Sequence, residues 1–203
     1  MSHAPHTDFL RRPPSGRTFH RPSFTALVLA WIVIAISCLQ AQGVKPTDYD
    51  VKAVYLYNFG RFVEWPSSVT AKSDAFNVCI LGQDPFGPAL DATLAGETIS
   101  GKSISAKRIS TPQEALNCQI LFMSSVEESQ LNKIIEALDK GAVLTVSDMP
   151  QFSRRGGMIQ FVVEGKKVRF EVNLTAVQRA GLTLSSELLK VATAVRRNPS
   201  PGD

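Results

Sequence analysis

Beyond His20 the sequence contains no histidine; His3, His6 and His20 are the only three. Ser-His-Asp and Cys-His catalysis are therefore closed to everything downstream, as is histidine-ligated zinc or iron. Cysteine is nearly as scarce: Cys38, Cys79 and Cys118. Three thiols cannot build a four-thiolate site. No carboxylate pair of acid–base type is visible either, so no catalytic residue, metal or cofactor is expected.

Net charge is also small once the amino terminus is set aside. Arg11, Arg12, Arg17 and Arg21 form a basic lead, and Phe24 to Ile36 is an uncharged apolar run followed by small and polar residues. That order describes a secretory signal peptide over 1–41. The apolar run is shorter than the roughly 20 residues that span a bilayer comfortably. An uncleaved anchor, or a leader lipidated at Cys38, is the alternative. Without the leader, 18 bases face 17 acids, a net charge of +1. The basic pI of the whole chain is then no footprint for nucleic acid.

Residues 42–197 suit one domain, and 198–203 (NPSPGD) read as a flexible polar tail. A helix opens at Asp48 or Asp50 as N-cap and runs to Pro66. AFNVCILG (75–82) is a buried strand, and a short helix lies between Asp84 and Gly96. Thr98–Ile109 holds a second strand. Thr111–Asn117 makes a capped turn, and Cys118–Met123 a third strand. A helix follows from Ser124 or Ser125 to Gly141, then a strand at Ala142–Val146. Met158–Val163 and Lys167–Val172 alternate and form a hairpin across Glu164-Gly165-Lys166. Asn173 caps one helix, and Ser185 or Ser186 caps a last one running to Arg197. Strands alternating with helices imply a mainly parallel sheet. The fold class is α/β, a small sandwich whose parallel sheet is extended by an antiparallel C-terminal hairpin, with helices on both faces.

Two positions suggest a ligand. Arg154 and Arg155 before Gly156-Gly157 fit an anion-binding nest, or else a turn leading into a strand. The loop Gln83–Gly87, with Asp84, lies beyond the carboxyl end of a strand, where open α/β folds bind small molecules. That loop carries neither glycine-rich phosphate pattern. Asp148 reads as a loop or cap residue. Arg169 and Glu171 share one strand face and pair with each other or across the hairpin. An exported compartment is oxidising, so Cys79 and Cys118 are expected to pair; two buried, reduced thiols in adjacent strands are the competing reading.

The most informative segment is VKAVYLYNFGRFVEWP (51–66). Tyr55, Tyr57, Phe59, Phe62 and Trp65 crowd it, and only Lys52, Arg61 and Glu64 carry charge. A helix apolar on most sides needs neighbours on several sides, in its own core or on a partner. The segment resembles the opening helix of the YfiR family. NVCILG, ILFMSS, VLTVSD, GGMIQFV, RFEVN and GLTLSSELLKVA follow in that family's order, from about Tyr49 to Arg197.

The resemblance implies a dimer-forming, non-catalytic periplasmic repressor. It implies binding to the periplasmic sensory domain of an inner-membrane diguanylate cyclase, which lowers cyclic-di-GMP and biofilm formation. It also implies sequestration by an outer-membrane lipoprotein and a disulfide between Cys79 and Cys118. Tyr55, Phe59, Arg61, Phe62 and Glu171 are the expected contact residues. A periplasmic small-molecule sensor, taking a nucleotide or amino acid at Asp84, Arg154, Arg155 and Gly157, is the rival reading.

Overall fold

Thr47 starts the first helix. Its hydroxyl accepts the Asp50 amide, and the Asp50 carboxylate accepts the Thr47 amide, a reciprocal capping box. Helix α1 then runs Asp48–Phe62. The cap is thus one residue earlier than expected, because Asp50 sits three positions inside the helix, where it can reach back. In this computed structural model the described residues are 45–67, 74–125, 128–138 and 141–197. The expected leader and tail lie outside them.

Helix α1 ends at Phe62, short of Pro66. Val63 turns extended, and β1 (Val63–Glu64) pairs antiparallel with β9 (Thr183–Leu184). The remaining strands are β2 (Phe76–Leu81), β3 (Thr98–Ile99), β4 (Lys102–Ile109), β5 (Ile120–Met123), β6 (Leu144–Ser147), β7 (Ile159–Glu164), β8 (Lys167–Asn173) and β10 (Ala194–Arg196). They form one eight-stranded sheet in the order β10-β8-β7-β6-β5-β2-β4-β3. Only β3–β4 and β7–β8 are antiparallel, so the sheet is mainly parallel and carries the expected C-terminal hairpin. Gly165 and Lys166 both take positive φ, 54° and 65°, the primed-turn geometry that matches strand twist.

Helices cover both faces. α1, α2 (Pro88–Leu94), α4 (Leu174–Arg179) and α5 (Ser186–Val191) share a core with Val78, Ile80, Ile120, Phe122 and Phe170. On the other face α3 (Glu128–Leu138) packs Leu131, Ile134 and Leu138 with Cys79, Leu81, Leu121, Met123 and Phe152. The run NVCIL thus supplies both cores by simple alternation, as a central strand covered on both faces should.

The last expected helix is cut short. Ala192 turns extended after Val191, and Thr193 donates to the Phe170 carbonyl through its amide at 2.9 Å. Ala194–Arg196 then joins β8 in parallel. The open edge of β8 offers this segment a ladder, and the sequence pattern alone does not show that edge.

Candidate functional site

The carboxyl ends of the parallel strands are filled by the chain's own side chains. Phe86, on the loop after β2, stands edge-on to Phe122 at 4.8 Å and to Tyr49 of α1 at 5.5 Å. Asp148, just past β6, accepts the Lys52 ammonium at 2.6 Å and the Tyr49 hydroxyl at 2.9 Å. Lys52 is buried and also lies over the Tyr49 ring, 4.1 Å from its centroid. Burial first, and the bond to Asp148 second, push the Tyr49 phenol up to about 12. Asp148 is therefore the anchor for the first turns of α1. Neither Tyr49 nor Lys52 was singled out from sequence, because the ion pair joins residues 96 positions apart.

Of the expected ligand residues, Asp84 is engaged in the same way. Asp84 accepts the Phe86 amide at 2.8 Å and the Arg108 guanidinium at 2.8 Å. Arg108 also reaches Asp91 and the Gly87 carbonyl, which ties the loop, α2 and β4 together. Arg154 and Arg155 sit on a single 3-10 turn, Phe152–Arg155. Gly157 lies flat on the Phe152 ring, where a Cβ would overlap it. That close approach accounts for a glycine at this position. GETISGKS (96–103) spells a phosphate-loop pattern that the sequence reading passed over. The structure folds it into the β3–β4 hairpin, Thr98 opposite Ser103, with no helix after the lysine to aim at a phosphate.

The expected contact residues divide. Phe59 is fully buried, stacked with Phe161 at 5.8 Å and edge-on to Phe170 at 5.2 Å. It is core, not surface. Tyr55 is half-buried against Phe59, Phe161 and Phe170, with its hydroxyl 3.4 Å from the Val168 carbonyl. Phe62 is half-buried, and Arg61 is exposed with its guanidinium near the Tyr57 and Phe62 rings. Tyr55, Asn58 and Phe62 form one wall of an apolar groove of about 280 Å³, and Glu187, Leu188 and Val191 of α5 form the other. Val54, one turn before Asn58, is 49% exposed, and Val191 is 57% exposed.

Glu171 stands apart from this groove. It accepts Ser153 Oγ at 3.1 Å and Arg196 Nη2 at 3.2 Å, inside a polar network with Gln160 and Asn173. It holds β10 to β8 and does not pair with Arg169. Cys79 and Cys118 are buried and joined by a disulfide, Cα–Cα 6.0 Å, on the α3 face. Among the described residues no group of three or more His, Cys, Asp or Glu is gathered as a metal would require.

A family model for YfiR/HmsC-like proteins matches residues 49–193, from the first turn of α1 to the residue before β10. The chain belongs to the YfiR/HmsC-like family. YfiR/HmsC-like membership supports a periplasmic regulator of diguanylate cyclase signalling, in a family that is regulatory rather than catalytic. Solved structures show a weaker likeness. A conserved domain protein from Vibrio cholerae O1 biovar eltor is 11% identical with a TM-score of 0.45, over 64% of this chain and 59% of that one. The ABC domain from Streptococcus pneumoniae in complex with L-Trp is 10% identical with a TM-score of 0.43, over 63% of this chain and 59% of that one. This YfiR/HmsC-like chain thus spans about three fifths of the length of either structure.

Proposed function

We propose that this protein is a periplasmic repressor that holds an inner-membrane diguanylate cyclase inactive by binding its sensory segment. The match to the YfiR/HmsC-like family over 49–193 carries the reading. The groove between α1 and α5 supplies a contact surface of the right kind, apolar and aromatic with charge at its rim. Export through the leader at 1–41, a homodimer, and sequestration by an outer-membrane lipoprotein belong to the same proposal. Its effect on the cell is lower cyclic-di-GMP and less biofilm.

The test joins a binding and a cellular measurement. The purified domain should bind the purified periplasmic segment of the cognate cyclase, and deletion should raise cyclic-di-GMP. No binding together with unchanged cyclic-di-GMP would sink the reading.

A further inference from the structure

From Val168 to Val172, β8 reads VRFEV, and that segment is its own complement. Laid antiparallel against a copy of itself about Phe170, it sets each Val168 opposite a Val172 and each Arg169 opposite a Glu171. Val168, Phe170 and Val172 belong to the core under α1, so by alternation both charges stand on the other face of the sheet. Opposite charges and apolar pairs directly across two strands are the contacts that stabilise a sheet. Within the chain this match is not used. Across the β7–β8 hairpin Arg169 faces Val162, not an acid. It is half-buried and has no ion-pair or hydrogen-bond partner among the described residues.

The outer edge of β8 is held by the chain itself. β10 lies against Glu171–Asn173, and Thr193 gives its amide and its hydroxyl to the Phe170 carbonyl, at 2.9 and 3.0 Å. Arg196 brings a guanidinium to Glu171 at 3.2 Å, the group that Arg169 of a second copy would bring. This cover is slight. Its three residues are all at least partly exposed, and Val195 is 41% exposed. The YfiR/HmsC-like match also stops at Thr193, just before it. Resting on the homodimer of the reading above, we propose that β10 is a displaceable strap over a dimerisation edge, and that a second copy of this chain takes its place, β8 against β8. An uncovered strand edge is a template for another chain, and a segment laid over it keeps that pairing in check. A self-complementary strand gives the twofold contact that closes as a dimer. Strap and second copy need the same Phe170 carbonyl and the same Glu171 carboxylate, so each excludes the other.

Sedimentation of the purified protein over a range of concentrations tests the strap. Val195→Pro with Arg196→Ala removes a strand amide and the ion pair that hold β10 down. Self-association should then tighten about tenfold or more. Adding Arg169→Glu sets like charges opposite each other and should take that gain away. Adding Glu171→Arg as well restores the match with the signs exchanged and should bring the dimer back, which a purely structural role for Glu171 would not do. Lys107→Glu, on β4 towards the other end of the sheet, should change nothing. If the proline melts the fold by circular dichroism, Arg196→Ala alone carries the same comparisons. A released strap with self-association no tighter than wild type overturns the proposal. A dimer indifferent to Arg169→Glu lies on another surface; it overturns the β8 edge and leaves the homodimer standing. No dimer from any variant removes both.

Discussion

Lys52 Nζ lies 2.6 Å from Asp148 Oδ2, and the same oxygen accepts the Tyr49 hydroxyl. One carboxylate at the end of β6 thus fixes the register of α1 on the sheet. The lysine is buried and the aspartate is only partly exposed, so removing one partner strands the other charge. Asp148→Ala should cost about 3 kcal/mol in urea unfolding. The double change Lys52→Met, Asp148→Leu should cost less than the sum of the two single changes, because it leaves no unpaired charge.

The same triad gives an alkaline signature. The ordinary tyrosine value is 10.0, and the folded Tyr49 phenol stands at about 12. Between those values the unfolded chain has lost the proton and the folded chain keeps it. Stability from this group is therefore full below pH 10 and falls as pH rises toward 12. Unfolding free energies from denaturant titrations across that window should drop by about 1 kcal/mol, allowing for solvent screening of a half-buried group. Tyr49→Phe should flatten that part of the curve.

Cys79 and Cys118 are 39 residues apart, so loop closure alone makes the bridge worth about 4 kcal/mol. Cys79→Ser should lower the thermal midpoint substantially while leaving the α1–α5 groove intact. Mass spectrometry of unreduced digests should recover the two cysteine peptides linked. Free thiols at both positions after oxidising preparation would refute the pairing.

Gly157→Ala should be costly for a position that reads as an ordinary turn. Its Cβ would enter the ring of Phe152, itself fully buried beneath α3. Overpacking of that kind costs about 1–3 kcal/mol. An anion-binding role would instead show as a phosphate-dependent rise in thermal midpoint, abolished by the substitution.

Glu171→Ala should loosen the carboxyl end of the domain by about 1 kcal/mol, because both ion-pair partners are partly exposed. Hydrogen exchange should quicken at Ala194–Arg196 while α1 stays protected. Adding Arg196→Ala should have little further effect, since the two side chains act as one contact.

Much of the fold was legible because it rests on local signals. The buried apolar strand at NVCIL, the Gly165-Lys166 turn, and the Asn173 and Ser185 caps all appear where the residues place them. What escaped was long-range. The end of α1 depends on β1 meeting β9, and the end of α5 on β8 having a free edge. The burial of Lys52 depends on an aspartate beyond β6. The aromatic run was read correctly as a helix with neighbours on several sides. Yet only tertiary packing separates Phe59, which is sealed in, from Tyr55 and Phe62, which border the groove.

Some partners of α1 lie close in sequence, such as Phe86 and Glu97, but others come late in the chain. Tyr49 meets Asp148, 99 residues on; Tyr55 reaches Val168, 113 residues on; and Val63 pairs with Leu184. The cover over α1 is therefore completed only by segments made long after it. Until the final strands emerge, the most aromatic stretch of the protein has only part of its core to enter. Its folding is consequently gated by chain completion, and truncation before Leu184 should leave a sticky, incompletely folded product rather than a smaller domain.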